Sequence, residues 1–309
     1  HHLSISIGIS IFGPNESNVE DVLKRADNAM YQAKNVGKNT WRFFDPAMVA
    51  LLENRLFIEN WMRSSLPNNY ELHYQLQIDN KGNVLGAEAL LRLNHPKLGY
   101  IPPDEFIPLA EETGLIFQLG KWVLETACEQ LKHWENVESM SALRLAINLS
   151  PRQFMEKDFV AQVKATIEKY QIRPNHLKFE ITENLVMDAV DDTIEKMNLL
   201  REVGVEFAID DFGTGQSSLS YLTRLPLDQL KIDKSFVSNM FAQKSDAIIV
   251  QTVIVMANSL GLDVIAEGVE TEEQRDFLIE CGCMNFQGYL FSKPLPVAEF
   301  ERLVVSHAN

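Results

Sequence analysis

The 309-residue chain is poor in cysteine, histidine pairs, basic residues and long apolar runs, and each shortage removes a class of protein. Three cysteines, Cys128, Cys281 and Cys283, cannot build a disulfide framework, and Cys281 and Cys283 lack a second pair at zinc-finger spacing. Plain reduced thiols are expected, which suits a cytoplasmic protein. No HxxxH or HxH spacing occurs, so a histidine-built metal site is not expected. No run of about 18 uninterrupted apolar residues exists. The best candidate, "AIIVQTVIVMANSLGL", is broken by Gln251, Thr252, Asn258 and Ser259. A membrane segment is therefore not expected here, no signal peptide is visible, and any membrane tether of a full-length protein is expected in N-terminal regions outside this chain. Basic residues number 28 against 43 acidic ones, a net charge of −15. That balance argues against a surface for DNA or RNA polymers, but not against a small anionic ligand held by metal ions. Residues 1–46 are charge-balanced, with five basic and five acidic residues, so the acidic excess falls on 47–309 and hints at two modules.

What is present is a repeating pattern. Residues 3–12, "LSISIGISIF", alternate like a strand, and "NVEDVLKRADNAMYQAKNVGKN" reads as a helix with an apolar face through Val19, Val22, Leu23, Ala26, Met30 and Ala33. "TWRFF" reads as a further strand. Residues 46–66 read as a connecting helix with a stripe through Met48, Leu51, Leu52, Leu56 and Phe57, stopped by Pro67. From residue 70, eight strand-like runs follow: "YELHYQLQI", "VLGAEALLRL", "LRLAINLS", "LKFEITE", "VEFAIDDF", "QLKID", "DVIAEGV" and "NFQGYLF". Helical segments such as Phe117–Trp134, Asp158–Tyr170, Asp192–Val203 and Ala247–Leu260 alternate with them. Strand–helix alternation implies parallel strands, and eight imply an α/β fold of the TIM-like (β/α)8 type. The first two runs are joined only by "DNKGN", so the first strand is expected antiparallel to the second. The expected division is a small α+β fragment at 1–45, a linker helix at 46–66 and a barrel at 67–309.

Active sites of such barrels lie at the C-terminal ends of the strands. The polar residues there are Glu88, Asn148, Glu180, Glu183, Asp210, Asp211, Lys231, Asp233, Glu267, Glu270 and Gln287. "AIN", "FEI", "AIDD" and "IAEG" each place an acid or amide where strand propensity favours another Val or Ile. Adjacent carboxylates repel, and burial worsens the repulsion, so Asp210 and Asp211 anticipate positive charge. Oxygen-rich donors suit hard divalent cations, Mg2+ or Mn2+. Two ions about 3.5–4 Å apart suit in-line hydrolysis of phosphate esters. The following turn, "GTGQSS", reads as a phosphate nest, a loop sensing site occupancy, or a tight turn capped by Ser217. His95 reads as a packed or turn residue and His133 as a helix residue.

At these residues the sequence resembles the EAL domain, the cyclic di-GMP phosphodiesterase family. "EALLR", "FIPLAEETGLI", "INLSPRQF", "FEITE", "DDFGTGQSSLSYL", "LKIDKSFV", "IAEGVET" and "FQGYLFSKPLP" occur in order, and the likeness covers about residues 66–305. The resemblance implies hydrolysis of cyclic di-GMP to linear 5′-pGpG with two divalent cations, with Ca2+ inhibitory. It places one ion on Glu88, Asn148, Glu180 and Asp210, and the other on Asp210, Asp211 and Glu267. It makes Lys231 the residue that orients the attacking water or stabilises phosphate charge, and Arg92 the grip on a substrate phosphate. Gln75 and Gln287 match other substrate-site residues, Glu270 a supporting acid, Glu183 the glutamate that steadies the glycine-rich loop, and Asp233 an acid near the metals. Glu267 could serve as a ligand only or also take a proton. A homodimer through the EAL domain is implied as well. Gln216, Leu93 and Leu76 depart from the residues common at their positions, Tyr, Trp and Pro. Residues 3–43 resemble the last part of a GGDEF domain through "SIGIS" and "LKRADNAMYQAKNVGKN", without the GGDEF signature, so synthesis of cyclic di-GMP is not expected. The competing reading is an inactive cyclic di-GMP receptor; a Schiff-base aldolase or lyase is disfavoured because Lys231 is surrounded by acids.

Overall fold

The structure, a computed structural model, describes residues 4–13, 18–35, 37, 39–183, 185, 190–213 and 222–307. Most of the "GTGQSS" turn, with Gln216 and Ser217, lies outside the described residues. The chain forms two compact units, His1–Ser65 and Leu66–Asn309.

In the first unit, β1 (Ile7–Ile9) pairs in parallel with β2 (Trp41–Phe43). Two helices, α1 (Val19–Asn35) and α2 (Ala47–Ser65), complete it. Gly8 is required by packing: a Cβ there would lie 1.9 Å from the Ala26 carbonyl oxygen, so α1 rests directly on β1. The strand is shorter than the alternation over 3–12 suggests. The helix faces also differ from the expected ones. Val19 and Leu23 of the expected face are exposed, whereas Ala33 of that face is buried, together with Ala29 outside it. In α2, Leu51, Leu56 and Phe57 are exposed and the buried line passes through Ile58 and Met62. Two three-residue strands offer too little surface to cover a broad apolar face.

The second unit is a closed barrel of eight strands. These are β3 (Tyr70–Asp79), β4 (Val84–His95), β6 (Arg144–Leu149), β7 (Leu177–Thr182), β8 (Glu206–Phe212), β9 (Gln229–Ile232), β10 (Asp263–Ala266) and β11 (Asn285–Gln287). Neighbours from β4 to β11 are parallel, and β3 closes the ring antiparallel to both β4 and β11. The short connection after "YELHYQLQI" thus reverses the first strand, as expected. Two short strands, β5 (Gly99–Ile101) and β12 (Leu295–Pro296), extend the sheet on β4 and β3 and were not foreseen in the sequence. The eighth run ends earlier than expected, at Gln287. A Cβ on Gly288 would come within 2.1 Å of the Val269 carbonyl oxygen, so the chain turns where two backbones touch.

Helices surround the barrel: α3 (Pro103–Thr113), α4 (Ile116–Glu135), α5 (Pro151–Phe154), α6 (Phe159–Tyr170), α7 (Val190–Arg201), α8 (Lys234–Asn239), α9 (Lys244–Leu260), α10 (Glu272–Glu280) and α11 (Val297–His307). The core lies between strands and helices. Phe154, Phe159, Phe179 and Phe207 form one aromatic chain, and Tyr74, Trp134 and Phe300 dock α4 and α11 on β3. Leu76 and Leu93 are wholly buried. This packing leaves the barrel interior to polar side chains. Among the described residues no helix is long and apolar enough to cross a membrane.

Candidate active site

Lys231, on β9, is fully buried and its ammonium is the hub of the barrel mouth. Its Nζ lies 2.5 Å from Glu180 Oε2, 2.6 Å from Glu267 Oε1, 3.2 Å from Asp210 Oδ1 and 3.5 Å from Glu88 Oε2. Glu88 and Glu180 are buried as well, on β4 and β7. The strand register explains the meeting: Glu88 stands beside Ala146, Asn148 beside Glu180, and Thr182 beside Asp210. Asn148 Nδ2 donates to Glu88 Oε1 at 2.6 Å, and Gln287 Nε2 donates to Glu88 Oε2 at 2.5 Å.

The adjacent aspartates sit in a β-bulge. Ile209 pairs with Leu230 and Phe212 with Ile232, so Asp210 and Asp211 together oppose Lys231 alone. Regular alternation would send neighbouring side chains to opposite faces. Here the extra residue, Asp211, takes a left-handed φ of 54°, and its N–H donates to Asp210 Oδ1 at 3.0 Å. Aspartate tolerates that conformation better than most residues, and the bulge brings both carboxylates to the mouth.

Burial, and after it charge crowding, shifts the acids of the site. Burial, reinforced by Glu88, pushes Glu180 well above the usual carboxylate range despite Lys231. Burial raises Glu267 to about 8, against the pull of Lys231. Burial and the Asp210 charge raise Asp211 to about 6. Burial alone would raise Glu88, but Lys231, Gln287 and Asn148 hold it below its ordinary value. Lys231 itself is held well above the usual lysine range, because four carboxylates outweigh its desolvation. Beside the ring opens a cavity of about 420 Å3, lined among others by Arg92, Asn148, Glu180, Asp210 and Asp211.

This geometry accompanies a family match over residues 59–294, to the model described as EAL domain. The chain belongs to the EAL domain family. Residues 1–40 match the diguanylate cyclase GGDEF domain. The chain is 41% identical over 308 residues to the signaling protein YkoW of Bacillus subtilis, covering 99% of this chain and 38% of that protein. It is 39% identical to MucR of Pseudomonas aeruginosa, described as a bifunctional diguanylate cyclase/cyclic di-GMP phosphodiesterase, covering 99% of this chain and 44% of MucR. A solved structure of the PaMucR phosphodiesterase in complex with c-di-GMP superimposes with a TM-score of 0.77 at 39% identity, over 79% of this chain and 99% of that one. The chain thus spans less than half the length of these full-length relatives.

Within the EAL barrel, Glu88, Asn148, Glu180, Asp210, Lys231, Glu267 and Gln287 are joined by the contacts given above, with Asp211 beside Asp210. Gln75 joins them by accepting from Gln287 Nε2 at 3.2 Å. Arg92 is half-buried on the cavity wall, its Nη1 donating to the Leu91 carbonyl. Asp233 caps α8, accepting from the Ser235 N–H, and also bears on Asp211. Glu183 is buried just past β7, and its Oε2 has no hydrogen-bond partner among the described residues. Glu270 is exposed, its N–H donating to Gln274, and no described hydrogen bond or ion pair ties it to the ring. His95 is buried at the end of β4, and its Nδ1 accepts from the N–H groups of Lys97 and Leu98 in the turn that follows. Gln77 escaped the sequence reading: it donates to Gln287 Oε1 at 2.9 Å. Its signal was the spacing in "YQLQI", which sets two glutamines on one face of β3.

The donor set fits hard divalent cations. Every candidate ligand offers oxygen, and Glu180 Oε1 is buried without a hydrogen-bond partner among the described residues. Among the described residues no three acidic, His or Cys side chains stand close enough together to hold an ion as placed; the Lys231 ammonium stands between the carboxylates.

Proposed function

We propose that the chain is a metal-dependent phosphodiesterase that opens one phosphodiester of cyclic di-GMP to give linear 5′-pGpG. The observation that carries this reading is the ring of Glu88, Glu180, Asp210 and Glu267 around Lys231, with Asp211 added by the bulge. Five acidic side chains around one lysine, Glu88 and Glu180 of them buried, leave an acidic surplus that two divalent cations would offset. The names of MucR and of the PaMucR complex support cyclic di-GMP as the substrate.

Glu88, Asn148, Glu180 and Asp210 would hold one Mg2+ or Mn2+, and Asp210, Asp211 and Glu267 the other. Such ions, when bound, would lower the pKa of a water for attack at neutral pH and offset charge on the phosphate. Arg92, on the cavity wall, grips a phosphate oxygen through its guanidinium. Lys231 stays protonated and places a fixed positive charge beside the phosphate as negative charge grows in the transition state. Asn148 and Gln287 orient the two oxygens of Glu88 by donating one N–H to each. Glu267 serves as a ligand only, or also takes a proton at the oxygen not bonded to Lys231.

Glu88→Ala removes a carboxylate from the centre of the ring. Turnover of cyclic di-GMP is expected to fall at least ~10²-fold with the barrel still folded. A variant with the wild-type rate refutes the metal assignment. One observation favours a receptor instead: Lys231 itself neutralises part of the ring. Tight binding of cyclic di-GMP with no product under Mg2+ or Mn2+ would select that reading.

A further inference from the structure

Three buried glutamines line the seam where β3 meets β11. Gln75, Gln77 and Gln287 are each more than nine-tenths buried, so each polar atom needs a partner. Their orientations follow from one fixed point. The Ser292 carbonyl can only accept, and it lies 3.2 Å from Gln75 Nε2. Gln75 must therefore turn its Oε1 inward, where it requires a donor. Glu88 Oε2, an acceptor in the carboxylate form, requires a donor at the same place. Gln287 Nε2 serves both, at 3.2 and 2.5 Å. That leaves Gln287 Oε1 pointing away from the ring, and Gln77 Nε2 meets it at 2.9 Å. Gln77 and Gln287 are also direct partners in the strand register, so the contact is built into the barrel closure.

We propose that Gln77 is a positioning residue for the reaction: its side-chain amide holds Gln287 in the orientation that presents an N–H, rather than an oxygen, to Glu88. Gln77 touches neither substrate nor metal on this reading. Without its donor, Gln287 Oε1 is buried and unsatisfied, and the amide is no longer held from that side. Its N–H still faces Glu88 Oε2 and Gln75 Oε1, but the side chain that carries it is free to shift along the seam. One of the two N–H groups that fix the Glu88 carboxylate is then held more loosely, and so is the direction in which Glu88 faces an ion.

This inference rests on the metal-dependent reading above, and its test separates the two. Gln77→Met keeps length and volume but has no N–H; Gln77→Leu serves as a second apolar variant. Mn2+ binding to the purified chain is measured by the EPR signal of free Mn2+, beside cyclic di-GMP turnover at graded Mn2+ and thermal unfolding. Wild type is expected to bind Mn2+, and Gln77→Met to bind it ~10-fold more weakly, the usual cost of losing a residue that supports a metal ligand. Its turnover should recover in part at high Mn2+. In a Gln287→Met background the Gln77 substitution is expected to cause no further loss, because its route to Glu88 is already gone. Mn2+ affinity equal to wild type, or the same loss repeated in the Gln287→Met background, overturns the role of Gln77. A wild-type chain that binds no Mn2+ and makes no product overturns the metal-dependent reading itself.

Discussion

At the scale of the residue, the site is a problem in charge balance. Lys231 is the cation common to Glu88, Glu180, Asp210 and Glu267, and it is fully buried. Lys231→Met is therefore expected to destabilise the metal-free barrel by about 3–5 kcal/mol, since buried acids lose their partner. Thermal unfolding in EDTA measures the loss, and Mn2+ should restore part of it by binding only the folded chain. A second residue-scale expectation concerns pH. His176 is buried, and desolvation, aided by Arg173 and Arg144 against Glu135, lowers its pKa below 6.5. The unfolded chain takes its proton near 6.5 while the folded chain resists. Stability from this residue is thus present above that pH and lost as pH falls through 6.5 toward the lowered value. The slope of Tm between pH 7 and 5.5 should be shallower in His176→Gln; an unchanged slope contradicts the assignment. The ring was legible in the sequence because acids such as Glu180 and Asp210 interrupt apolar strands, where they have no structural reason to be. Gln77 was not, because a polar residue in an alternating strand looks ordinary until its partner across the barrel is known.

At the scale of the element, β8 does the unusual work. The sequence showed that Asp210 and Asp211 were adjacent, but a two-residue alternation rule would have split them between faces. Only the bulge, with Asp211 at φ 54°, reconciles the pair with one site. Backbone and carboxylate can be separated by substitution. Asp211→Asn keeps a residue that accepts left-handed backbone, whereas Asp211→Val does not. The Val variant is expected to be less stable than the Asn variant by about 1–2 kcal/mol in denaturant unfolding, while both lose activity. Equal stabilities would mean that the bulge relaxes at no cost. The helices of the first unit teach the opposite lesson. Apolar residues such as Leu23, Leu51 and Leu56 matched a helical period yet remain exposed. Periodicity names candidates for burial, but the area of the neighbouring surface decides which of them are covered.

At the scale of the whole molecule, the reversed first strand is the feature that unites fold and site. Because β3 runs antiparallel between β4 and β11, Gln75 and Gln77 reach the same seam as Gln287. The barrel, its eight strands and the reversal were readable from strand spacing and one short connection. The added strands β5 and β12 were not, because three- and two-residue pairings leave no periodic signal. The proposed function stands on chemistry at the barrel mouth. Its most direct test is to incubate the purified chain with cyclic di-GMP and Mg2+ or Mn2+, with Ca2+ and EDTA controls, and to chromatograph the products. The account predicts linear 5′-pGpG with Mg2+ or Mn2+ and little or none with Ca2+ or EDTA. Intact cyclic di-GMP under every metal would contradict it.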